Sequence, residues 1–196
     1  MRVLHADDRM VVIAKPAGLL SVPGRTEPDC ASARVQQLYP DALIVHRLDQ
    51  PTSGLLLFAR GIAAQRELSA DFAERRVGKT YVAIVAGRLE GEGVVDLPLA
   101  ADWPNRPRQQ VDHARGKPSQ TRWRTLAHEG EQTRVALEPL TGRSHQLRVH
   151  MAQLGHAILG DALYAAPDIA AASPRLLLHA SELRIAGHHF TCPPEF

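Results

Sequence analysis

The sequence predicts an α+β sheet domain. Three observations carry that expectation: strand-like runs outnumber helical ones, the two kinds do not alternate one for one as a doubly wound fold requires, and 196 residues with 44% hydrophobic content suffice for one core. A single domain over residues 1–196 is expected.

Taken in order, Met10 to Ala14 reads as a short buried strand stopped by Lys15-Pro16-Ala17-Gly18. Ser32 to Tyr39, with Val35 and Leu38 on one side, reads as a short helix ending at Pro40. The apolar runs Ala42 to Val45 and Leu55 to Ala59 read as two buried strands joined by a polar loop. Ile62, Leu68 and Phe72 fall at helical spacing among charged residues, which predicts an amphipathic helix ending before Gly78. Lys79 to Ala86 is apolar on both alternating sets, so a central strand covered on both faces and ended by Gly87 is expected. Residues 103–107 hold two prolines and an Asn and suit no regular element, whereas Thr121 to Leu126 and Thr133 to Leu137 alternate around Glu129-Gly130-Glu131 as a hairpin does. From Ser144, the stripe Leu147, Met151, Leu154 predicts a helix of about three turns capped by Gly155. Leu176 to Leu178 and Leu183 to Ile185, separated by residues 179–182, predict further strand.

Composition excludes several classes. The N-terminal residues carry acids where a signal peptide needs an apolar stretch, and no run of about 18 apolar residues occurs, so a soluble, cytoplasmic protein without membrane contact is expected. Cys30 and Cys192 form no CxxC pair and read as packed thiols. Ten histidines, His145, His150, His156 and His179 among them, show neither HExxH nor another usual ligand spacing, so no metal is expected. The net charge of +2 is mild, but its distribution is uneven: Arg106, Arg108, Arg115 and Lys117 crowd one stretch, and Arg60, Arg66, Arg75, Arg76 and Lys79 another. Such clusters bind phosphates or merely form solvated faces.

The most informative segment is His46-Arg47-Leu48-Asp49-Gln50-Pro51-Thr52-Ser53-Gly54, an acid beside an Arg in a bend fixed by Pro51 and Gly54 and held between two strands. Asp49 either serves chemistry there or simply pairs with Arg47 or caps the turn. Tyr81, on the central strand, and Arg143, in the loop opening the helix at Ser144, are the candidate companions. Gly142 before an Arg at a helix N-terminus favours an anion. The plainer alternatives are a core aromatic and a first-turn surface residue.

These residues carry a resemblance. His46 to Gly54 resembles the HRLDxxTSG signature of the RluA-type pseudouridine synthases, Leu140 to His150 resembles their TGR[ST]HQ[IL]RVH motif, and Lys79-Thr80-Tyr81 matches a third. Similarity continues through 160–164 and Leu178-His179-Ala180, while Ser21 to Arg25, Asp102 to Pro107 and Gly116-Lys117-Pro118 are similar to the RluA branch, whose members lack an S4 RNA-binding domain. No S4-like segment is expected here. Departures are slight: Ser144 and Leu147 stand where many relatives have Thr and Ile, and Ala165 where Gly is common. The resemblance implies a central mixed, mostly antiparallel β-sheet flanked by helices and loops, and isomerisation of uridine to pseudouridine in RNA with no cofactor or metal. It further implies Asp49 as the catalytic aspartate, and as substrates loops of 23S rRNA, the tRNA anticodon stem-loop, or both.

The residue types suit that reaction, which breaks a C–N glycosidic bond, turns the freed uracil and joins C5 to the sugar. An ionised carboxylate attacks C1′ of the sugar or C6 of the ring and later leaves; a nearby Arg, for which Arg143 is the candidate, favours the charged form. The target nucleotide must be flipped out at a cost of a few kcal/mol, least in loops, and stacking on Tyr81 returns roughly 1–3 kcal/mol. By resemblance Arg47 fills the vacated gap. His46 completes the expected substrate contacts in the motif, and Arg106, Arg108 and Lys117 those to the RNA backbone. Two rivals share these features: a catalytically inactive RNA-binding protein, and a base-releasing N-glycosidase. No heptad stripe calls for assembly, so a monomer is expected.

Overall fold

A computed structural model describes the whole chain, Met1–Phe196. In chain order the elements are β1 (Arg2–Ala6), β2 (Met10–Lys15), α1 (Ala31–Leu38), β3 (Ala42–Ile44), β4 (Ser53–Arg60), α2 (Gly61–Ala73), β5 (Gly78–Ala86) and β6 (Glu92–Asp96). They continue with β7 (Leu99–Ala101), β8 (Gln109–Val111), β9 (Gln120–Glu129), β10 (Gln132–Pro139), α3 (Gln146–Gln153), α4 (Pro167–Ala171), β11 (Leu178–Ile185) and β12 (His188–Thr191). Strands thus dominate and helices are few, as an α+β class requires. No helix is long and apolar enough to cross a membrane. The elements gather into two compact units, residues 1–79 with 179–195, and residues 80–178 with Phe196.

In the first unit, β1, β2 and β4 pair antiparallel, β11 joins β4 in parallel at His179↔Ser53 and Ala180↔Gly54, β3 pairs with the distal part of β4, and β12 pairs with β11. The sheet is therefore mixed. Its centre is β4, whose Leu55, Leu56, Leu57 and Phe58 are all buried; each such side chain contributes about 1.5–3 kcal/mol. The antiparallel partner β2 is equally apolar, with Val11, Val12 and Ile13 fully buried. Helix α2 lies against β3 and β4, α1 against β3. Sulfur also finds a use here: the Cys30 side chain caps α1 by accepting from the Ala33 amide at 3.4 Å.

The second unit holds an antiparallel sheet in the order β5-β10-β9-β6 and a separate two-stranded ribbon, β7-β8. One core joins Ala83 and Val85 of β5, Val135 and Leu137 of β10, Leu147 and Met151 of α3, and Ile158, with Tyr81 and Trp123 packed at its margin. The β9-β10 hairpin turns at Gly130, whose φ of 60° a glycine adopts freely.

The sequence-based reading needs four corrections. Helix α2 buries Ala64 and Leu68, whereas Ile62 is 57% exposed, so its inward stripe is narrower than expected. Helix α3 begins at Gln146 because His145 adopts a left-handed φ of 54°, and its eight residues make two turns rather than three. Residues 179–182 do not separate two strands but run through β11, because His179 and Ala180 pair with β4 and Glu182 pairs with β12. β5 is covered on both faces only over Ala83 to Val85.

Candidate functional site

The Asp49 loop lies in the first unit between β3 and β4, and its main chain is fastened on both sides of the acid. The Ser21 hydroxyl accepts from the Leu48 amide at 3.0 Å and donates to the Leu48 carbonyl at 2.7 Å. The Gln50 carbonyl accepts from the Gly18 amide at 2.9 Å and from the Lys15 ammonium at 3.1 Å, while the Asp49 carbonyl accepts from the Thr52 amide at 3.1 Å. Lys15 is only 1% exposed, and its ammonium also donates to the carbonyls of Leu19 and Pro16. A buried cation is tolerated when its protons meet acceptors, and here those acceptors belong to the two loops it ties together. Asp49 itself is half-buried next to buried Leu48, and Arg47 is exposed.

The rest of the motif is explained by what lies across the sheet. Ser53 Oγ is 2.8 Å from His179 Nδ1, and His179 Nε2 is 2.9 Å from the Cys192 carbonyl. A carbonyl only accepts, so Nε2 carries the ring proton and Nδ1 accepts from the serine. Gly54 has φ 111°, and a Cβ there would fall 2.3 Å from the Ala180 carbonyl oxygen, so only glycine permits β11 to approach.

His46, expected to contact substrate, is engaged within the unit: Nε2 accepts from the Leu57 amide at 3.0 Å and the ring stacks on Phe72 at 4.4 Å. Burial first, and Lys79 second, push its pKa down to about 3. The folded state therefore favours the neutral ring, giving stability that is present above the usual histidine value of about 6.5 and lost as pH falls from there toward 3. Thermal unfolding followed by pH should show that acid-side loss, and His46→Gln, which keeps an acceptor but does not titrate, should flatten it; an unchanged slope would refute the assignment.

The second unit carries the other expected residues. Tyr81 pairs with Leu137 across β5 and β10 and sits half-buried at the edge of the core. Arg143 precedes α3 by a two-residue step, not at its first turn. Its amide donates to Gln146 Oε1 at 3.0 Å, and its Nε donates to the Pro118 carbonyl at 3.3 Å. Buried Gln146 organises this loop, since Oε1 also accepts from Thr141 Oγ1 at 2.7 Å while Nε2 donates to the Gln120 carbonyl at 2.8 Å and to Thr121 Oγ1 at 3.0 Å.

Arg106, Arg108 and Lys117 are exposed on the β7-β8 ribbon and its flanks. The Tyr164 hydroxyl links that ribbon to the loop before α3, accepting from the Gln109 amide at 2.8 Å and lying 2.6 Å from His145 Nδ1. Beneath it, Arg148 and Asp161 form a buried bidentate ion pair at 2.8 and 2.6 Å. Sequence reasoning missed Ser21, Lys15, Gln146, Tyr164 and the Arg148–Asp161 pair as supports. Ser21, Gln146, Arg148, Asp161 and Tyr164 stood within segments already singled out and Lys15 at a strand end, but no local signal gave their contacts. No group of three His, Cys, Asp or Glu side chains is arranged to hold a metal ion.

Comparison with known proteins gives the class to which this α+β fold belongs, that of an RNA-modifying isomerase. Residues 9–153 match the model of the RNA pseudouridylate synthase family, and the chain belongs to that family. Its activity is that of an RNA pseudouridine synthase. It is 54% identical over 187 residues to the dual-specificity RNA pseudouridine synthase RluA of Escherichia coli (strain K12), covering 93% of this chain and 85% of that protein. Against the Yersinia pestis protein of the same name, identity is 50% over 200 residues, covering 100% and 97%. Among solved structures, Human RNA Pseudouridylate Synthase Domain Containing 1 superposes with a TM-score of 0.87 at 28% identity, covering 100% of this chain and 84% of that one. Human RNA Pseudouridylate Synthase Domain Containing 4 shares the fold, with a TM-score of 0.82 at 24% identity over 99% and 89%.

Proposed function

We propose that this chain converts uridine to pseudouridine in hairpin loops of 23S rRNA, of the tRNA anticodon stem, or of both, with Asp49 as the nucleophile acting on a flipped-out nucleotide. The observation that carries this is the fastening of Leu48 and Gln50 by Ser21, Gly18 and Lys15, which fixes the backbone on either side of one half-buried carboxylate. Such preorganisation suits a group that must attack a single atom. The carboxylate bonds to C1′ or C6, the N1–C1′ bond breaks with its electron pair on N1, C5 joins C1′ and the carboxylate leaves, the proton on C5 passes to solvent, and N1 takes one proton from solvent in exchange.

Extrusion costs a few kcal/mol and is least for loops, which favours hairpin substrates over long duplexes. In this reading Arg47 takes the vacated place in the stack, Tyr81 stacks on the target base, and Arg143 supplies charge for the reaction. Arg106, Arg108 and Lys117 hold the RNA backbone. His46, bonded to the Leu57 amide and stacked on Phe72, holds the start of the motif to β4 and α2. The dual-specificity names of the bacterial relatives favour both RNA classes, and the protein would act as a monomeric single catalytic domain in the cytoplasm.

Incubation with RNA tritiated at uridine C5 tests the reaction. Tritium release with the base retained is expected; free uracil would mean a glycosidase, and neither product a binding protein. For Arg143→Ala the expected result is a turnover loss of about 100-fold or more, with RNA affinity changed only a few-fold. Equal losses in both would remove its role in the chemical step.

A further inference from the structure

Of the large apolar side chains left in solvent, Trp103 is the most exposed, at 68%, ahead of Leu38, Ile62 and Val94. It stands in the turn between β7 and β8, and the Arg106 guanidinium lies over its ring at 3.5 Å from the centroid. The turn is internally braced. The Asp102 amide donates to the Arg108 carbonyl at 3.0 Å, the Arg108 amide to the Asn105 carbonyl at 3.0 Å, and the Asn105 side chain to both Asp102 carboxylate oxygens. Arg108 in turn stands over Tyr164, 5.5 Å from its centroid, and Tyr164 ties the ribbon to the loop that carries Arg143.

The indole is thus held largely in solvent by an internally braced turn. One ring face is already lined by a guanidinium, which orients the indole and adds positive charge beside it. Such a pair matches an unpaired nucleobase, which stacks on an aromatic face, and its phosphate, which meets the cation. We propose that Trp103, oriented by Arg106, is a base-stacking platform for an unpaired nucleotide of the substrate other than the modified uridine. This inference rests on the RNA-modifying reading above and adds to it a recognition residue on the ribbon.

Trp103 touches solvent rather than core, so Trp103→Ala should fold with an unchanged melting temperature. Its dissociation constant for a synthetic RNA hairpin with a uridine-containing loop should rise about 5- to 150-fold, and Trp103→Phe should recover part of that loss. Affinity for a blunt RNA duplex, which offers no unpaired base, should be the same for wild type and variant. The hairpin should also quench the wild-type tryptophan emission, and Trp103→Phe, in which only half-buried Trp123 emits, should lose the quench. Unaltered hairpin affinity in Trp103→Ala, or equal losses on hairpin and duplex, would overturn the platform. An inert wild-type enzyme that still binds hairpins through Trp103 would overturn the catalytic reading instead.

Discussion

Asp49→Asn should abolish pseudouridine formation, by on the order of 10⁴-fold or more, while leaving the protein folded and able to bind RNA. The amide matches the carboxylate in size but is not a nucleophile of useful strength, and removing a group that makes and breaks a covalent bond forfeits most of the rate. The described anchors of the loop act on main-chain atoms of residues 48, 49 and 50, which the substitution leaves in place. Melting temperature and RNA affinity should therefore stay close to wild type, and single-turnover assays should show the loss in the chemical step. Pseudouridine accumulating at an undiminished rate would assign the nucleophile elsewhere.

The second large effect is on stability. Asp161 is 1% exposed; besides its two bonds from Arg148, its Oδ1 accepts from the amides of Leu163 and Tyr164 at 2.9 and 3.2 Å. Asp161→Ala strips a buried guanidinium of its carboxylate and two amides of their acceptor, a change that costs about 3–5 kcal/mol. For a chain of this size each kcal/mol moves the melting temperature by about 2–4 °C, so a fall of roughly 6–20 °C is expected by calorimetry. Replacing both partners by apolar residues of similar volume, as in Arg148→Met with Asp161→Leu, should recover much of it, because the stranded charge is then gone. A single variant within about 1 kcal/mol of wild type would show the pair to be dispensable.

What the sequence made legible is local. The run Leu55 to Ala59 is apolar enough to announce a central strand, and alternation around Gly130 announces the β9-β10 hairpin. β1, β6 and β12 escaped because Arg2 to Ala6, Glu92 to Asp96 and His188 to Thr191 mix charge, glycine or histidine into short runs; β7 and β8, three residues each, give no periodicity at all. The site was legible as motif but not as mechanism of support. Ser21 is 27 residues from Leu48, and Ser53 is 126 from His179, so nothing in the local pattern says that these serines hold the loop. Lys15 reads as the polar end of a strand, yet it lies inside because two carbonyl groups of the turn that follows it and that of Gln50, 35 residues on, converge on it.

The order in which the chain visits its first unit carries a consequence for synthesis. Residues 1–79 are made early, but β4 receives its parallel neighbour only when residues 178–185 leave the ribosome, after the whole of the second unit. At ~5–20 residues per second, Ser53 therefore waits roughly 6–25 seconds for His179, 126 residues on. The second unit can be finished during that delay, and the Asp49 loop acquires its last brace near the end of translation, so a nascent chain truncated before β11 would be born without the Ser53–His179 tie.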